Sequence, residues 1–185
     1  MDLVTLARLP LSAEDGWPEL ARSRFRLLRL FLVVVLPLSL VPPVVLYVAG
    51  THDPGLFGDR FAGRAWGGLA AAFFAAEMAT LLVMGWLIRQ VALTRRLSLG
   101  YRDAFLLAAV APIPMWLSAL GLLAPSLAVA ALAAAAGLAL TCAIVHNGLL
   151  ALGRACDAVE AAGAAHVVIG AALGVWACLL AVALV

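Results

Sequence analysis

Five runs of about twenty mostly apolar residues, each closed by charged or turn-forming residues, leave this chain few ways to fold. They cover residues 27–47, 66–88, 104–123, 127–150 and 164–185. At about 1.5 Å of rise per residue, a helix of ~20 residues crosses the roughly 30 Å of hydrocarbon in a bilayer. The first run stops before Thr51-His52-Asp53-Pro54, and the second lies between Arg64 and Arg89. The third enters through Tyr101-Arg102-Asp103 and closes at Ala124-Pro125-Ser126, a turn so short that the third and fourth runs are expected to form an antiparallel hairpin. The expected fold is all-α: a polytopic membrane domain of five transmembrane helices over residues 25–185, after a cytoplasmic or interfacial segment over residues 1–24.

Composition removes the main alternatives. Of the 185 residues, 66% are hydrophobic and 12% charged, against about 45–50% and 25% in ordinary soluble domains, so a soluble globule would lack polar surface. All twelve cationic residues are Arg and the net charge is +2. No basic stripe interleaved with aromatics stands outside the apolar runs, so nucleic acid is not an expected partner. Cys142, Cys156 and Cys178 lie in separate blocks without a C-x-x-C pair and read as small apolar residues rather than a disulfide or metal site. Glu14, Asp15 and Glu19 precede the first apolar run, unlike a secretory signal, so that run is expected to be retained as a span.

Charge also orients the spans. Ten of the twelve arginines fall before or in the first turn of the first span, between the second and third, or between the fourth and fifth; only Arg60 and Arg64 fall in the opposite loops. Cytoplasmic loops hold the excess of Arg and Lys, so the N-terminus is expected in the cytoplasm and Val185 on the far side. Tyr47 with Trp66, and Trp86 with Tyr101, are placed to anchor the two interfaces. Within residues 1–24, Leu3, Leu6, Leu9 and Leu11 precede Gly16-Trp17-Pro18. This pattern reads as a short helix lying in the headgroup layer with Trp17, or as an arm for a partner.

Glu77 stands out among the polar residues. It lies eleven positions after Trp66 and twelve before Arg89, so helical rise puts it at the midplane, roughly 16–18 Å from either interface. A charged side chain there costs about 2.5–3.5 kcal/mol, which favours a neutral carboxyl that donates a hydrogen bond. Prolines suggest acceptors, because each deprives the carbonyl four residues earlier of its donor. Pro37, Pro42 and Pro43 free the carbonyls of Val33, Leu38 and Ser39; Pro112 and Pro114 free those of Ala108 and Val110. The expectation is an intramembrane polar cluster of Glu77, Ser39 and Thr141 with the broken backbone at Pro42, Pro43, Pro112 and Pro114. One geometric conflict stands: helical side chains tilt toward their own N-terminus, which aims Glu77 toward Trp66, whereas most of the freed carbonyls lie the other way.

Other features weigh less. His146, about 12 Å from Arg154 along the fourth run, is a candidate for a proton relay with Glu77, or a packed residue beside Asn147. His52, Asp53 and Asp59 read as a solvated loop rather than chelators, and Asp157 with Glu160 as a solvated connector. Gly170 and Gly174 form a small-x-x-x-small pattern that lets helices approach closely, within the chain or between copies, and Ala128 to Ala136 is dense in alanine. The nucleophile elbow, HExxH, P-loop and dinucleotide signatures are absent, and no cofactor or metal is implied.

Two segments together resemble bacterial members of the Yip (Ypt/Rab-interacting protein) family of membrane proteins. They are Phe25-Arg-Leu-Leu-Arg-Leu-Phe-Leu-Val-Val-Val-Leu-Pro37 through Pro42-Pro43-Val-Val-Leu-Tyr47, and Gly100-Tyr-Arg-Asp-Ala-Phe-Leu-Leu-Ala-Ala-Val-Ala-Pro-Ile-Pro114-Met-Trp116. The likeness runs from about Trp17 onward. It implies five spans behind a cytoplasmic N-terminus, no enzymatic activity and no catalytic residues, in a multi-pass protein of the bacterial inner membrane. The longer N-terminal region and Asp-Leu-Tyr-type motif of eukaryotic relatives do not occur here, so a Rab-type GTPase is not an expected partner. The function expected is that of a membrane organiser or scaffold acting through helix–helix contacts, with the bilayer and a membrane-protein partner or further copies of the chain as its partners. The alternative is a small transporter or channel component built on Glu77 and the Pro-broken first and third spans.

Overall fold

The computed structural model describes residues 16–17, 27–52, 63–124, 126–153 and 158–184. Among these residues the regular structure is helical throughout, and five stretches are long and apolar enough to cross a membrane: Leu28–His52, Trp66–Thr94, Tyr101–Leu123, Leu127–Leu152 and Val159–Cys178.

The first span is assembled from pieces. Helix α1 (Leu27–Leu30) passes into a π-helical turn (Phe31–Val35), then α2 (Leu36–Ser39) and α3 (Val41–His52). In the wide turn the Leu36 N–H bonds the carbonyl of Phe31, one residue beyond the α-helical partner, immediately before Pro37. Leu40 then breaks the helix, and Pro42 and Pro43 fall in the first turn of α3, where a missing N–H costs nothing. α3 runs one turn past the expected end at residue 47 because its own side chains cap it. Thr51 Oγ1 donates to the Tyr47 carbonyl at 2.8 Å, and His52 Nδ1 lies 3.1 Å from the Val48 carbonyl.

Helix α4 (Trp66–Thr94) continues past Arg89, and a six-residue link leads to the third span. That span is also segmented, into α5 (Tyr101–Val110), α6 (Ile113–Ser118) and a 3₁₀ turn (Ala119–Leu123). Pro112 is the N-cap residue of α6 and Pro114 lies in its first turn, so here too the prolines start a new helix. α7 (Leu127–Leu152) and α8 (Ala158–Leu184) are continuous. α8 begins six residues before the expected position, which places Glu160 in its first turn, where a carboxylate favours the positive end of the helix dipole, rather than in a connector. Asp157 lies outside the described residues, as do Asp53 and Asp59.

The third span is the hub. Its first half packs on α4, its second half on α7, α2 and α3, while α8 packs on α4 and α7. Lipid tails are as apolar as leucine, so these contacts gain their energy from close packing rather than from escape from water. Glycines provide the approach. A Cβ at Gly85 would stand 2.7 Å from the Phe105 ring, and one at Gly137 would stand 2.9 Å from the Pro114 carbonyl oxygen. With Gly121 against Ala133 near the turn and Gly148 against Leu107 at the far end, the third and fourth spans form an antiparallel hairpin. Of the four aromatics expected at the interfaces, Tyr47, Trp86 and Tyr101 face outward, while Trp66 is 7% exposed because its indole covers Gly50.

Candidate functional site

Hydroxyls come first, because in an apolar span every polar atom needs a partner. Ser39 is fully buried, and its Oγ donates to the Leu36 carbonyl of its own helix at 2.9 Å. Ser118 Oγ does the same to Met115 at 2.8 Å, and Thr80 Oγ1 to Ala76 at 2.8 Å. These three hydroxyls therefore spend their donors on carbonyls of their own helices. Thr141 differs: its Oγ1 is buried and makes no hydrogen bond among the described residues. One turn before it, Gly137 meets α6, and two turns after it Gly148 meets Leu107, so Thr141 shares the face of α7 that packs on the third span.

Glu77 is half-buried on α4, and a side-chain hydrogen bond joins its carboxyl to Trp116 on α6, with the indole N–H as donor. Trp116 is itself 5% exposed. Glu77 Oε2 is buried and has no partner among the described residues. The geometric conflict noted in the sequence is resolved by this partner. Side chains lean toward their own N-termini, so Glu77 leans toward the Trp66 end while Trp116, on an antiparallel helix, leans back toward it. The contact falls further from the Arg95 end than the carbonyls of Ala108 and Val110, which had been expected to serve as acceptors.

Of the expected cluster, the structure thus joins Glu77 to the Pro-started half of the third span through Trp116. Ser39 is tied to its own backbone, and Pro42 and Pro43 open α3, which packs on α4 and α6. His146 is half-buried on α7, about 7.5 Å of rise beyond Thr141, and among the described residues no hydrogen bond links it to Glu77. A groove of about 330 Å³ between the first and second spans is lined by Leu40, Pro43, Val44, Tyr47, Gly67 and Phe74 among others; Glu77 is not part of its wall. Gly170 and Gly174 are exposed, and among the described residues nothing lies within 4 Å of where a Cβ on either would stand. Their expected role in packing within the chain is therefore not used.

Two participants escaped the sequence reading. Trp116 stands in an apolar run and carries no spacing signal, although a Trp in mid-span needs an acceptor for its N–H and Glu77 lies at nearly the same depth. Trp17 was expected in the headgroup layer or on a partner-binding arm. It is instead fully buried, and a Cβ at Gly148 would stand 2.8 Å from its ring. Gly16, at φ 88°, makes the left-handed turn that leads into it.

An all-helical fold with five helices apolar and long enough to span a bilayer is the signature of a multi-pass membrane protein. Comparison with protein-family models, curated proteins and solved structures finds no match to this chain.

Proposed function

We propose that the chain is a non-enzymatic organiser or scaffold of the Yip type in a bacterial inner membrane, acting through helix–helix contacts in the plane of the bilayer. One observation carries this reading. Close approach at glycine builds the interfaces at Gly85, Gly137 and Gly148, yet on α8 the same device, Gly170 with Gly174, has nothing against it among the described residues. A partner span or a second copy fits such a face, because small residues let two backbones come close. The clamp between Glu77 and Trp116 supports the same reading, since it uses the midplane acid to hold the bundle together.

A second reading, a small transporter or channel component with its site at Glu77, is favoured by the two buried polar atoms left without partners, Glu77 Oε2 and Thr141 Oγ1. Photo-crosslinking from position 174 in native membranes separates the two. A scaffold gives an adduct with a discrete membrane protein or a second copy, and Gly170→Leu abolishes it. Adducts with lipid alone, together with labelling of a Glu77→Cys variant by a water-soluble thiol reagent, would replace the scaffold with the transporter.

A further inference from the structure

We infer that the link between the second and third spans is a binding site for the phosphate headgroup of an anionic phospholipid, held by Arg95 and Arg96.

The backbone there is set before any ligand arrives. α4 ends with the Arg96 N–H bonded to the Leu93 carbonyl at 3.2 Å and the Leu97 N–H to the Ala92 carbonyl at 2.9 Å, a paired closure that needs a left-handed residue between them. Arg96 fills that place at φ 55°, among the described residues the one non-glycine with positive φ. Glycine takes this conformation without the Cβ penalty, so the guanidinium is present against the local backbone preference. Leu97 and Leu99 turn inward, at 4% and 5% exposure, while Arg95, Arg96 and Ser98 turn outward. The Ser98 N–H bonds the Gly153 carbonyl at 3.1 Å and fastens the link to the end of α7. The Arg95 guanidinium lies against α8, with Nη1 3.0 Å from where a Cβ of Gly163 would stand. Two cations are therefore held on a platform that ties three spans together.

Nothing described neutralises them. Asp103 on α5 is the nearest acid in sequence and Glu160 lies on α8, the helix that Arg95 rests against; no ion pair joins either to Arg95 or Arg96 among the described residues. Depth selects the ligand. Trp66 to Arg95 is about 43 Å of helix, and a bilayer measured through its headgroups is about 40–45 Å thick, so with Trp66 at one face Arg95 reaches the headgroup layer of the other. Guanidinium forks match phosphate oxygens, and an anionic headgroup brings the charge that the platform lacks.

The test is thermal unfolding of the full chain in nanodiscs of phosphatidylcholine alone or with one third phosphatidylglycerol. The anionic lipid is expected to raise Tm of the wild type by about 5 °C, inorganic phosphate to leave it unchanged, and Arg95→Ala/Arg96→Ala to lose the shift. Arg96→Gly distinguishes a ligand role from a structural one: it is expected to melt higher than wild type in neutral lipid, because the left-handed strain is gone, yet to lose about half of the shift. Arg29→Ala removes an equal charge elsewhere and is expected to keep the shift. A wild type indifferent to phosphatidylglycerol, an equal response to inorganic phosphate, a full shift in Arg96→Gly, or an equal loss in Arg29→Ala would each overturn the assignment.

Discussion

Glu77 and Trp116 each carry a polar group that an apolar span cannot satisfy alone, and one hydrogen bond between adjacent spans serves both. The acid was legible in the sequence because a single carboxyl between Trp66 and Arg89 has no other explanation than depth. Its partner was not, because a Trp among Leu, Met and Ala looks like any other apolar residue until two helices are docked. Trp17 was misread for a related reason. Its socket is made by Leu107 and Gly148, distant in sequence, and no local pattern announces so remote a contact. The indole is fully buried, so Trp17→Ala would leave a cavity and is expected to cost about 3 kcal/mol in reversible denaturation. A loss below about 0.5 kcal/mol would mean that the indole merely rests at the interface.

Among the helices, existence was legible and limits were not. Hydropathy reports which residues tolerate lipid, whereas the ends are decided by capping: Thr51 and His52 extend α3, and the closure at Arg96 ends α4 beyond Arg89. The prolines were read as interruptions that free carbonyls. In the structure Pro42, Pro43, Pro112 and Pro114 lie at helix starts, so much of the anticipated demand for outside donors does not arise. Glycines divide into two kinds by what stands opposite them. Gly137→Leu would force a side chain into the α6 backbone and is expected to destabilise the monomer by at least ~2 kcal/mol. Gly170→Leu meets nothing among the described residues and is expected to change monomer stability by less than about 0.5 kcal/mol while weakening association. Melting curves in mild detergent, with cross-linking yields measured in parallel, check both statements.

At the scale of the whole molecule, the third span is the shared neighbour of the first, second and fourth, and the fifth closes against the second and fourth. A clamp between the second and third spans therefore acts on the span that the most neighbours share. This arrangement leaves the outer face of α8 available for the partner contact proposed above. The direct test of the clamp is a double-mutant cycle of Glu77→Leu and Trp116→Phe, read as unfolding free energy in a reconstituted bilayer. A real hydrogen bond at that depth predicts a coupling energy of about 1 kcal/mol, with the double variant less destabilised than the sum of the single ones. Additivity within ~0.3 kcal/mol would contradict it, and the half-buried acid would then require another partner.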